Sequence, residues 1–357
     1  MAEDTYHTLR SFLNQFPLGF PETASGVEIE ILKRLFTEEE ARLATILTPF
    51  PEDVAQIALR AGLDEKILQE KLEAMSKKGL VFRMRRHGRT LFRAAPFMIG
   101  LYEYSVKNLD AELAGLYKDY YETAYQAEMA AGNVPGFKVI PIAHTLQEET
   151  VLFPYCKLEG DVRDARIISV ANCICRIEAR LTGKGCSRPV ETCLSFGAAA
   201  EYYIENGIGR QVSAEEALAI IEEADRAGLV HAGVNTKHLS NLCNCCPCCC
   251  ASMKGITEKG LDKHGYLNAL FVAEVDAGQC TGCMICIERC PVGAISVMET
   301  ASVDAQRCLG CGLCSTSCPS ESITMHLKEK REEPFDTVVD LGLAILKGKG
   351  MAKDRAS

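Results

Sequence analysis

The chain has 357 residues, 47% of them hydrophobic and 24% charged, which is enough for two or three packed domains. Its formal net charge of −9 argues against bulk attraction to nucleic acid, although a local basic patch would still act. No apolar run approaches a bilayer span, and the first residues lack the pattern of a secretion signal. We therefore expect a cytoplasmic protein, in which 19 cysteines indicate metal ligation rather than disulfides.

The first 50 residues show helical periodicity. Apolar residues recur at helical spacing from Val27 to Leu35, and they do so again after the acidic run at 38–40. Pro49 and Pro51 end this helical stretch because proline cannot continue a helix.

Residues 51–95 predict a helix, a turn, a second helix and a hairpin. The second helix has Asp64 as its N-cap and ends at Gly79. The hairpin turns at 87–88 between two short apolar strands. This order of elements resembles a winged helix-turn-helix domain over about residues 25–95, so we expect a winged-helix-like domain over residues 1–95.

The charges of this region bear on whether it binds DNA. The second helix has no net charge between residues 64 and 78, and only Gln69 is suited to reading bases. The hairpin nevertheless carries the basic side chains that a phosphate-tracking wing requires, namely Arg83, Arg85, Arg86, Arg89 and Arg93. We favour structural or protein-docking use, with DNA binding as the alternative.

Residues 96–136 are expected to form a helical connector that is rich in tyrosine. An aromatic helical stretch is typical of a core or a subunit interface. The tyrosines are Tyr102, Tyr104, Tyr117, Tyr120, Tyr121 and Tyr125. Residues 132–136 contain two glycines and a proline, which favour a linker.

Residues 137–265 hold eleven cysteines, ten of them between positions 173 and 250, and we expect this stretch to form a mostly helical, cysteine-rich domain. A buried strand over 166–171 leads into Cys173 and Cys175, and six thiols crowd into 243–250. Thiols this close would be reactive or strained unless a soft metal or cluster held them as thiolates. A third site is therefore expected from Cys173, Cys175, Cys186, Cys193, Cys243, Cys245, Cys246, Cys248, Cys249 and Cys250.

The nature of this third site stays open at the level of sequence. Ten thiols suffice for one or two four-thiolate sites, or for one larger cluster. An additional iron–sulfur cluster, zinc or another thiophilic metal, and redox-active dithiols without metal are the alternatives. The paired cysteines at 245–246 and 248–249 lack the following glycine of heterodisulfide-reductase sites, so that activity is not inferred.

Three other features in this region carry weaker signals. His231 and His238 flank the cysteine-rich loop as candidate ligands or proton donors, although a lone histidine more often lies in a core or on a surface. The glycine-rich segment 206–210 lacks a preceding strand and is expected to be a loop between helices. Cys156 stands alone and is expected to serve packing.

Residues 280–319 contain the pattern C-x₂-C-x₂-C-x₃-C-P twice. In such a run three close cysteines ligate one iron–sulfur cluster, and the fourth ligates the cluster of the other half. One cluster is then held by Cys280, Cys283, Cys286 and Cys318, and the other by Cys308, Cys311, Cys314 and Cys290. Zinc knuckles or a disulfide framework are the alternatives.

The residues between these ligands suit a cluster. Gly282 and Gly310 would let the backbone approach the inorganic core without a Cβ in the way. Small apolar residues would exclude water and help to tune the potential, namely Met284, Ile285, Leu309 and Leu313.

The repeat resembles bacterial two-cluster [4Fe–4S] ferredoxins over about residues 270–326, and every ligand position matches. The resemblance implies a ferredoxin domain over residues 266–327 that exchanges electrons with redox protein partners. Oxygen-sensitive clusters in this number suggest an anaerobic or microaerobic setting. The central segment is similar to those of ferredoxin-fused proteins of anaerobic bacteria, a resemblance that gives no reaction. The tail, 328–357, begins with a solvated charge run and contains a candidate docking helix over 338–346.

The predicted fold class is an α+β multidomain protein with winged-helix-like, cysteine-rich and ferredoxin-like parts. We expect an iron–sulfur electron-transfer protein with two [4Fe–4S] clusters and a further cluster or metal. The alternatives are a redox-responsive DNA-binding regulator and a reductase with its active site at the central cysteines.

Overall fold

The computed structural model describes residues 4–142 and 158–351, so Cys156 lies outside the described residues. The chain begins with three helices, α1 (Thr5–Leu13), α2 (Val27–Leu35) and α3 (Glu38–Ala44). Helix α3 begins with a capping box, in which Thr37 and Glu40 bond to each other's backbone N–H groups.

A helix–hairpin unit follows over residues 52–94. It contains β1 (Glu52–Asp53), α4 (Val54–Ala61), α5 (Glu65–Lys78), β2 (Val81–Arg86) and β3 (Arg89–Ala94). The strands form an antiparallel sheet in the order β1-β3-β2. Asp64 accepts a hydrogen bond from the Ile67 N–H, and Gly79 ends α5 with φ of 87°. The elements and caps predicted for this stretch are thus present.

The tyrosine-rich connector forms a buried aromatic core. Its helices are α6 (Tyr102–Tyr104), α7 (Ala111–Tyr120) and α8 (Gln126–Ala130). All six tyrosines predicted to lie in a core or interface are buried. Phe97 lies among them, with its ring centroid 4.8 Å from that of Tyr125 and 5.4 Å from that of Tyr120.

A seven-stranded sheet organises the central region. The strands are β4 (Phe137–Val139), β5 (Ile168–Asn172), β6 (Glu191–Phe196), β7 (Gly209–Val212), β8 (Val230–Val234), β9 (Asn241–Cys245) and β10 (Leu267–Asn268). Their order is β10-β4-β8-β9-β6-β5-β7, and every neighbouring pair is antiparallel except β10 and β4. The helices are α9 (Leu158–Asp164), α10 (Ile174–Leu181), α11 (Ala198–Glu205), α12 (Ala214–Arg226) and α13 (Ala251–Thr257).

This sheet corrects the expectation of a mostly helical central domain. Strand β9 escaped sequence reasoning because Asn241, Cys243 and Cys245 occupy alternating positions where an apolar residue would reveal a strand. The segment 206–210 is corrected as well, since it joins helix α11 to strand β7 rather than two helices.

The C-terminal region repeats itself in structure as it does in sequence. Its elements are β11 (Phe271–Val275), α14 (Ile285–Arg289), β12 (Ile295–Val297), β13 (Ala301–Val303), α15 (Leu313–Thr316), β14 (Ile323–Leu327) and α16 (Val338–Gly348). Strand β11 pairs with β14, and β12 pairs with β13. Asp276 and Asp304 occupy equivalent positions, and each carboxylate accepts a backbone N–H two residues later, from Gly278 and Gln306.

The helix–hairpin unit packs against helix α11 of the central region. The Tyr202 hydroxyl donates to the Val81 carbonyl at 2.9 Å. Arg83 is 4% exposed and forms ion pairs with Glu73 of α5 and Glu205 of α11. Within residues 4–142 and 158–351, none of the helices is both long and apolar enough to cross a bilayer.

Candidate metal and cluster centres

The cysteines of the repeat line two separate cavities. One is lined by Cys290, Cys308, Cys311 and Cys314. The other is lined by Cys280, Cys283, Cys286 and Cys318. Each cavity thus receives three cysteines from one half of the repeat and the fourth from the other half.

The surroundings of these sulfurs suit thiolate ligands. The N–H groups of Ala294 and Ala301 donate to the Sγ atoms of Cys290 and Cys280, at 3.1 and 3.3 Å. Burial raises the pKa of Cys311 to about 12, so this thiol would stay protonated at neutral pH without a metal. An all-thiolate donor set with N–H···S bonds fits iron–sulfur clusters.

The two cavities differ in their exposure to solvent. Leu309 and Leu313, beside the first cavity, are each 1% exposed and exclude water as predicted. Met284 and Ile285, beside the second cavity, are 54% and 40% exposed, so the expectation that they exclude water is wrong. The physical reason is that this side of the repeat faces solvent, where Cys283 is also exposed.

The glycines of the repeat are required by neighbouring backbone. Gly310 has φ of +69°, and a Cβ there would lie 2.3 Å from the Phe271 carbonyl oxygen. At Gly282 a Cβ would lie 2.7 Å from the Glu299 carbonyl oxygen. Both glycines therefore lie in places where a Cβ would not fit, as predicted. The atoms that such a Cβ would meet are backbone atoms of Phe271 and Glu299.

Four of the ten central cysteines form a compact group. The Sγ atoms of Cys186, Cys246, Cys248 and Cys249 all lie within 4.8 Å of one another. The Cys249 sulfur lies 3.7 Å from that of Cys186 and 3.8 Å from that of Cys248. A tetrahedral ion with metal–sulfur bonds of about 2.3 Å separates its ligands by about 3.8 Å. This four-thiol group therefore has the dimensions of a site for a single metal ion.

Two arginines supply positive charge to the four-thiol group. Arg188 donates from Nη1 to Cys248 Sγ at 3.3 Å, and Arg176 approaches Cys246 Sγ to 3.9 Å. The neighbouring thiol of Cys249 and the Arg176 guanidinium lower the pKa of Cys246 to about 5. The Cys246 sulfur is thus a thiolate at neutral pH, which is the form that binds metals.

The other six central cysteines lie elsewhere, and we call them the six-thiol group. Its members come from the start of α10, from β6, from β9 and from the start of α13. They are Cys173, Cys175, Cys193, Cys243, Cys245 and Cys250. The structure therefore divides the ten cysteines of the predicted third site into two groups.

The two candidate histidines lie outside the four-thiol group. His231 is buried on β8, with its Nδ1 2.5 Å from Asn244 Oδ1. Burial lowers the pKa of His231, so its ring is neutral at physiological pH. His238 follows β8, and its carbonyl accepts a hydrogen bond from the Thr236 hydroxyl.

Sequence reasoning missed three charged residues near the central sulfurs. Arg176 and Arg188 were signalled only by their adjacency to Cys175 and Cys186 in the chain. Glu103 lies far away in sequence, and burial raises the pKa of its carboxyl to about 8, with the Cys243 and Cys173 thiolates adding to the shift. Nothing in the sequence indicated that the connector would meet the central cysteines.

Comparison with known proteins covers the repeat alone. A family model described as "4Fe-4S dicluster domain" matches residues 279–322. No curated protein and no solved structure matches the chain. The matched segment contains the eight cysteines of the two cavities.

Residues 279–322 therefore form a ferredoxin-like iron–sulfur domain of the dicluster kind. The chain carries, in addition, a compact four-thiol group suited to a metal.

Proposed function

We propose that this chain is an iron–sulfur electron-transfer protein with two [4Fe–4S] clusters in its dicluster domain and a further metal at the four-thiol group. One cluster would be held by Cys280, Cys283, Cys286 and Cys318, and the other by Cys308, Cys311, Cys314 and Cys290. The main support for this proposal is that these two sets of cysteines line two separate cavities within the matched segment. Bound clusters of this type accept and release single electrons.

The more exposed cavity is the better entrance for electrons from a redox protein partner. Cys283 is exposed there, and Met284, Ile285 and Met298 present apolar side chains to solvent beside it. Cys308 and Cys314 of the other cavity are buried. A partner would therefore contact the side of the domain that carries Cys283.

Hydrogen bonds at the end of helix α12 join the dicluster domain to the four-thiol group. Arg289, which precedes Cys290, donates to the carbonyls of Asp225 and Arg226 at 2.7 and 3.0 Å. One residue further on, the Ala227 carbonyl accepts from Arg188 at 2.9 Å. Because Arg188 also donates to a sulfur of the four-thiol group, the two centres are structurally linked. This link supports use of the electrons within the same chain.

A second candidate function, a reductase with its active site at the central cysteines, is favoured by the same link. The chain would then be the electron-transfer part of an oxidoreductase. Reoxidation of the reduced protein by a candidate substrate, at a rate that depends on Cys246, would distinguish it from a carrier. Equal reoxidation rates in the wild type and in Cys246→Ser would argue against the reductase and favour the electron-carrier function.

The helix–hairpin unit is proposed to dock within the chain rather than to bind DNA. Of the hairpin arginines, Arg83 and Arg85 form ion pairs with Glu205, and Arg93 lies 4.7 Å over the Phe82 ring. Lys71 and Lys78 of α5 form ion pairs with residues of α3. Arg83, Arg85 and Arg93 thus contact other parts of the chain, which leaves Arg86 and Arg89 as the exposed arginines that lack a close ion pair of this kind.

The test is spectroscopic. We expect oxygen-protected protein to show visible absorption that bleaches on chemical reduction, together with a low-temperature electron paramagnetic resonance signal from two coupled clusters. Cys280→Ser and Cys308→Ser should each perturb one cluster, and Cys186→Ser should leave both signals intact. A colourless protein without a reduction-dependent signal would refute the proposed function.

A further inference from the structure

The six-thiol group begins with a cross-strand pair of cysteines. Strands β6 and β9 are antiparallel, with Leu194 opposite Leu242, so the same register places Cys193 opposite Cys243. Side chains alternate along a strand, so Cys245 projects from the same face as Cys243. Directly opposed residues have Cβ atoms about 5 Å apart, which brings these thiols together on one face of the sheet.

Two helix starts bring the remaining three cysteines to the same place. Cys173 is the N-cap of α10, Cys175 lies in its first turn, and Cys250 is the N-cap of α13. The thiol of Cys175 lies between those of Cys173 and Cys250. The thiol of Cys245 lies between those of Cys243 and Cys250.

These neighbours form a continuous series of six sulfurs. The order is Cys173, Cys175, Cys250, Cys245, Cys243 and Cys193. The two ends of the series, Cys173 and Cys193, are also close enough to interact electrostatically. The six thiols therefore lie next to one another as one group.

The six-thiol group is spatially separate from the four-thiol group. Cys175, Cys193, Cys245 and Cys250 pack with the main hydrophobic core, which includes the tyrosines of the connector. The cysteines of the four-thiol group pack in a small cluster of their own with Ala179, Ala224 and Leu229. The cysteines of the segment 243–250 are thus divided between two places: Cys245 and Cys250 pack with the main core, and Cys246, Cys248 and Cys249 pack in the small cluster.

The six-thiol group is also wider than the four-thiol group. Within the part of the chain that the structure describes, only the four-thiol group gathers at least three ligand atoms within 4.8 Å of one another. A single thiolate-bound ion needs ligand separations of about 3.8 Å. A wider set of sulfurs instead matches a polynuclear core, as in the two cavities of the dicluster domain.

A buried positive charge lies between the two groups. Arg176 is 1% exposed, and its hydrogen bonds go to the Asn244 carbonyl, the Thr192 hydroxyl and the Cys246 sulfur. The described residues place no carboxylate within ion-pair distance of it. An uncompensated buried cation is costly, so its counter-charges are the sulfur of Cys246 in the four-thiol group and those of Cys173 and Cys245 in the six-thiol group. Thiolates that persist in a core are those that hold a metal.

We propose that the six-thiol group binds an iron–sulfur cluster of its own, separate from the metal of the four-thiol group and from the two clusters of the dicluster domain. Soft thiolates in an apolar enclosure favour this class of cofactor. The six sulfurs exceed the four that a cubane requires, so the group supplies either spare thiols or the ligands of a larger cluster.

The test compares two matched double variants of the full-length chain prepared without oxygen. Cys243→Ala/Cys245→Ala removes two members of the six-thiol group, and Cys246→Ala/Cys248→Ala removes two members of the four-thiol group from the adjoining residues. Iron, zinc and acid-labile sulfide are counted in each, alongside the wild type. We expect the first variant to lose about four irons with their sulfide, and the second to lose about one metal ion and no sulfide.

Two outcomes would overturn the proposal: unchanged iron and sulfide in the first variant, or loss of the same metal from both variants. The dicluster electron paramagnetic resonance signal must survive in the first variant, which separates failure here from failure of the proposed function. If Cys243→Ala/Cys245→Ala does not fold, Mössbauer spectra of the unmodified, iron-57-enriched protein test the proposal instead. They should contain cluster iron beyond two cubanes, and iron confined to two cubanes would contradict the proposal.

Discussion

Arg188 donates to the Cys248 sulfur at 3.3 Å, where its charge would stabilise a metal-bound thiolate. In the free thiol, burial and the neighbouring Cys246 raise the pKa of Cys248 to about 11. Replacing Arg188 by alanine should weaken metal binding by the four-thiol group about tenfold or more, because groups that orient and charge-balance ligands commonly contribute that much. Competition of the purified protein with a metal chelator measures the change. Arg226→Ala removes the same charge from an exposed position nearby and should leave affinity unaltered.

Gly310 lies in tightly packed backbone beside the cavity that is lined by Cys308, Cys311 and Cys314. Gly310→Ala adds a Cβ that would lie 2.3 Å from the Phe271 carbonyl oxygen, in addition to the strain of its positive φ. The left-handed conformation alone costs a non-glycine residue about 1–2 kcal/mol. We expect a larger loss in the free energy of unfolding than this, measured by anaerobic denaturation.

The matched control for that change is Gly183→Ala. Gly183 also has a positive φ, of +76°, but an added Cβ there meets nothing within 4 Å. It should show the conformational cost alone. Equal destabilisation by both substitutions would mean that the contact with Phe271 is unimportant.

At the scale of elements, the packing of α6 against α10 makes stability depend on pH. The Tyr102 hydroxyl donates to the Glu178 carboxylate, and burial raises the pKa of Glu178 to about 7 from an ordinary value of 4.5. The folded protein therefore binds this proton more tightly than the unfolded chain. The stability that the proton contributes is complete below about pH 4.5 and is lost as pH rises through about 7.

Glu178→Gln should remove this dependence. Between about pH 5 and 8 the unfolding free energy of the wild type should fall by on the order of 2–3 kcal/mol relative to that of the variant. Thermal unfolding across this range measures it, with Glu223→Gln at an exposed position as the control. Parallel pH profiles for the wild type and Glu178→Gln would show that Glu178 does not titrate in this range.

The hairpin β2–β3 gives a test of DNA binding. Because Arg83 and Arg85 form ion pairs with Glu205, we expect the wild type to pass through a heparin column near physiological salt. Glu205→Gln should increase retention by releasing these arginines. Strong retention of the wild type that falls steeply with salt would favour the DNA-binding alternative.

Elements with local signals were predictable from the sequence, whereas those set by distant pairing were not. Asp64 and Gly79 mark the two ends of helix α5 in the sequence, and His87 and Gly88 mark the turn of the hairpin that follows. Strand β9 has no such signal, because asparagine and cysteine occupy its alternating positions, and its pairing with β6 joins segments about 50 residues apart. The division of the central cysteines depends on that register, so spacing along the chain could reveal their number and crowding but not their grouping.

At the scale of the whole molecule, the spacing of the repeat predicts which four cysteines form each set, and each set lines one of the two cavities. The link between the dicluster domain and the four-thiol group could not be predicted from spacing, since it depends on Arg289 meeting the end of α12. Hydrogen bonds from Arg289 and Arg188 to the end of α12 thus join the dicluster domain to the four-thiol group.

The most direct test of this account is the amount of iron and acid-labile sulfide per chain in full-length protein purified and reconstituted without oxygen. The account predicts more than the roughly eight irons of two cubanes. A count of about eight irons would refute the proposed additional cluster but would still agree with two clusters in the dicluster domain. Iron-free protein, with zinc or disulfide bonds at Cys280–Cys318, would contradict the central claim.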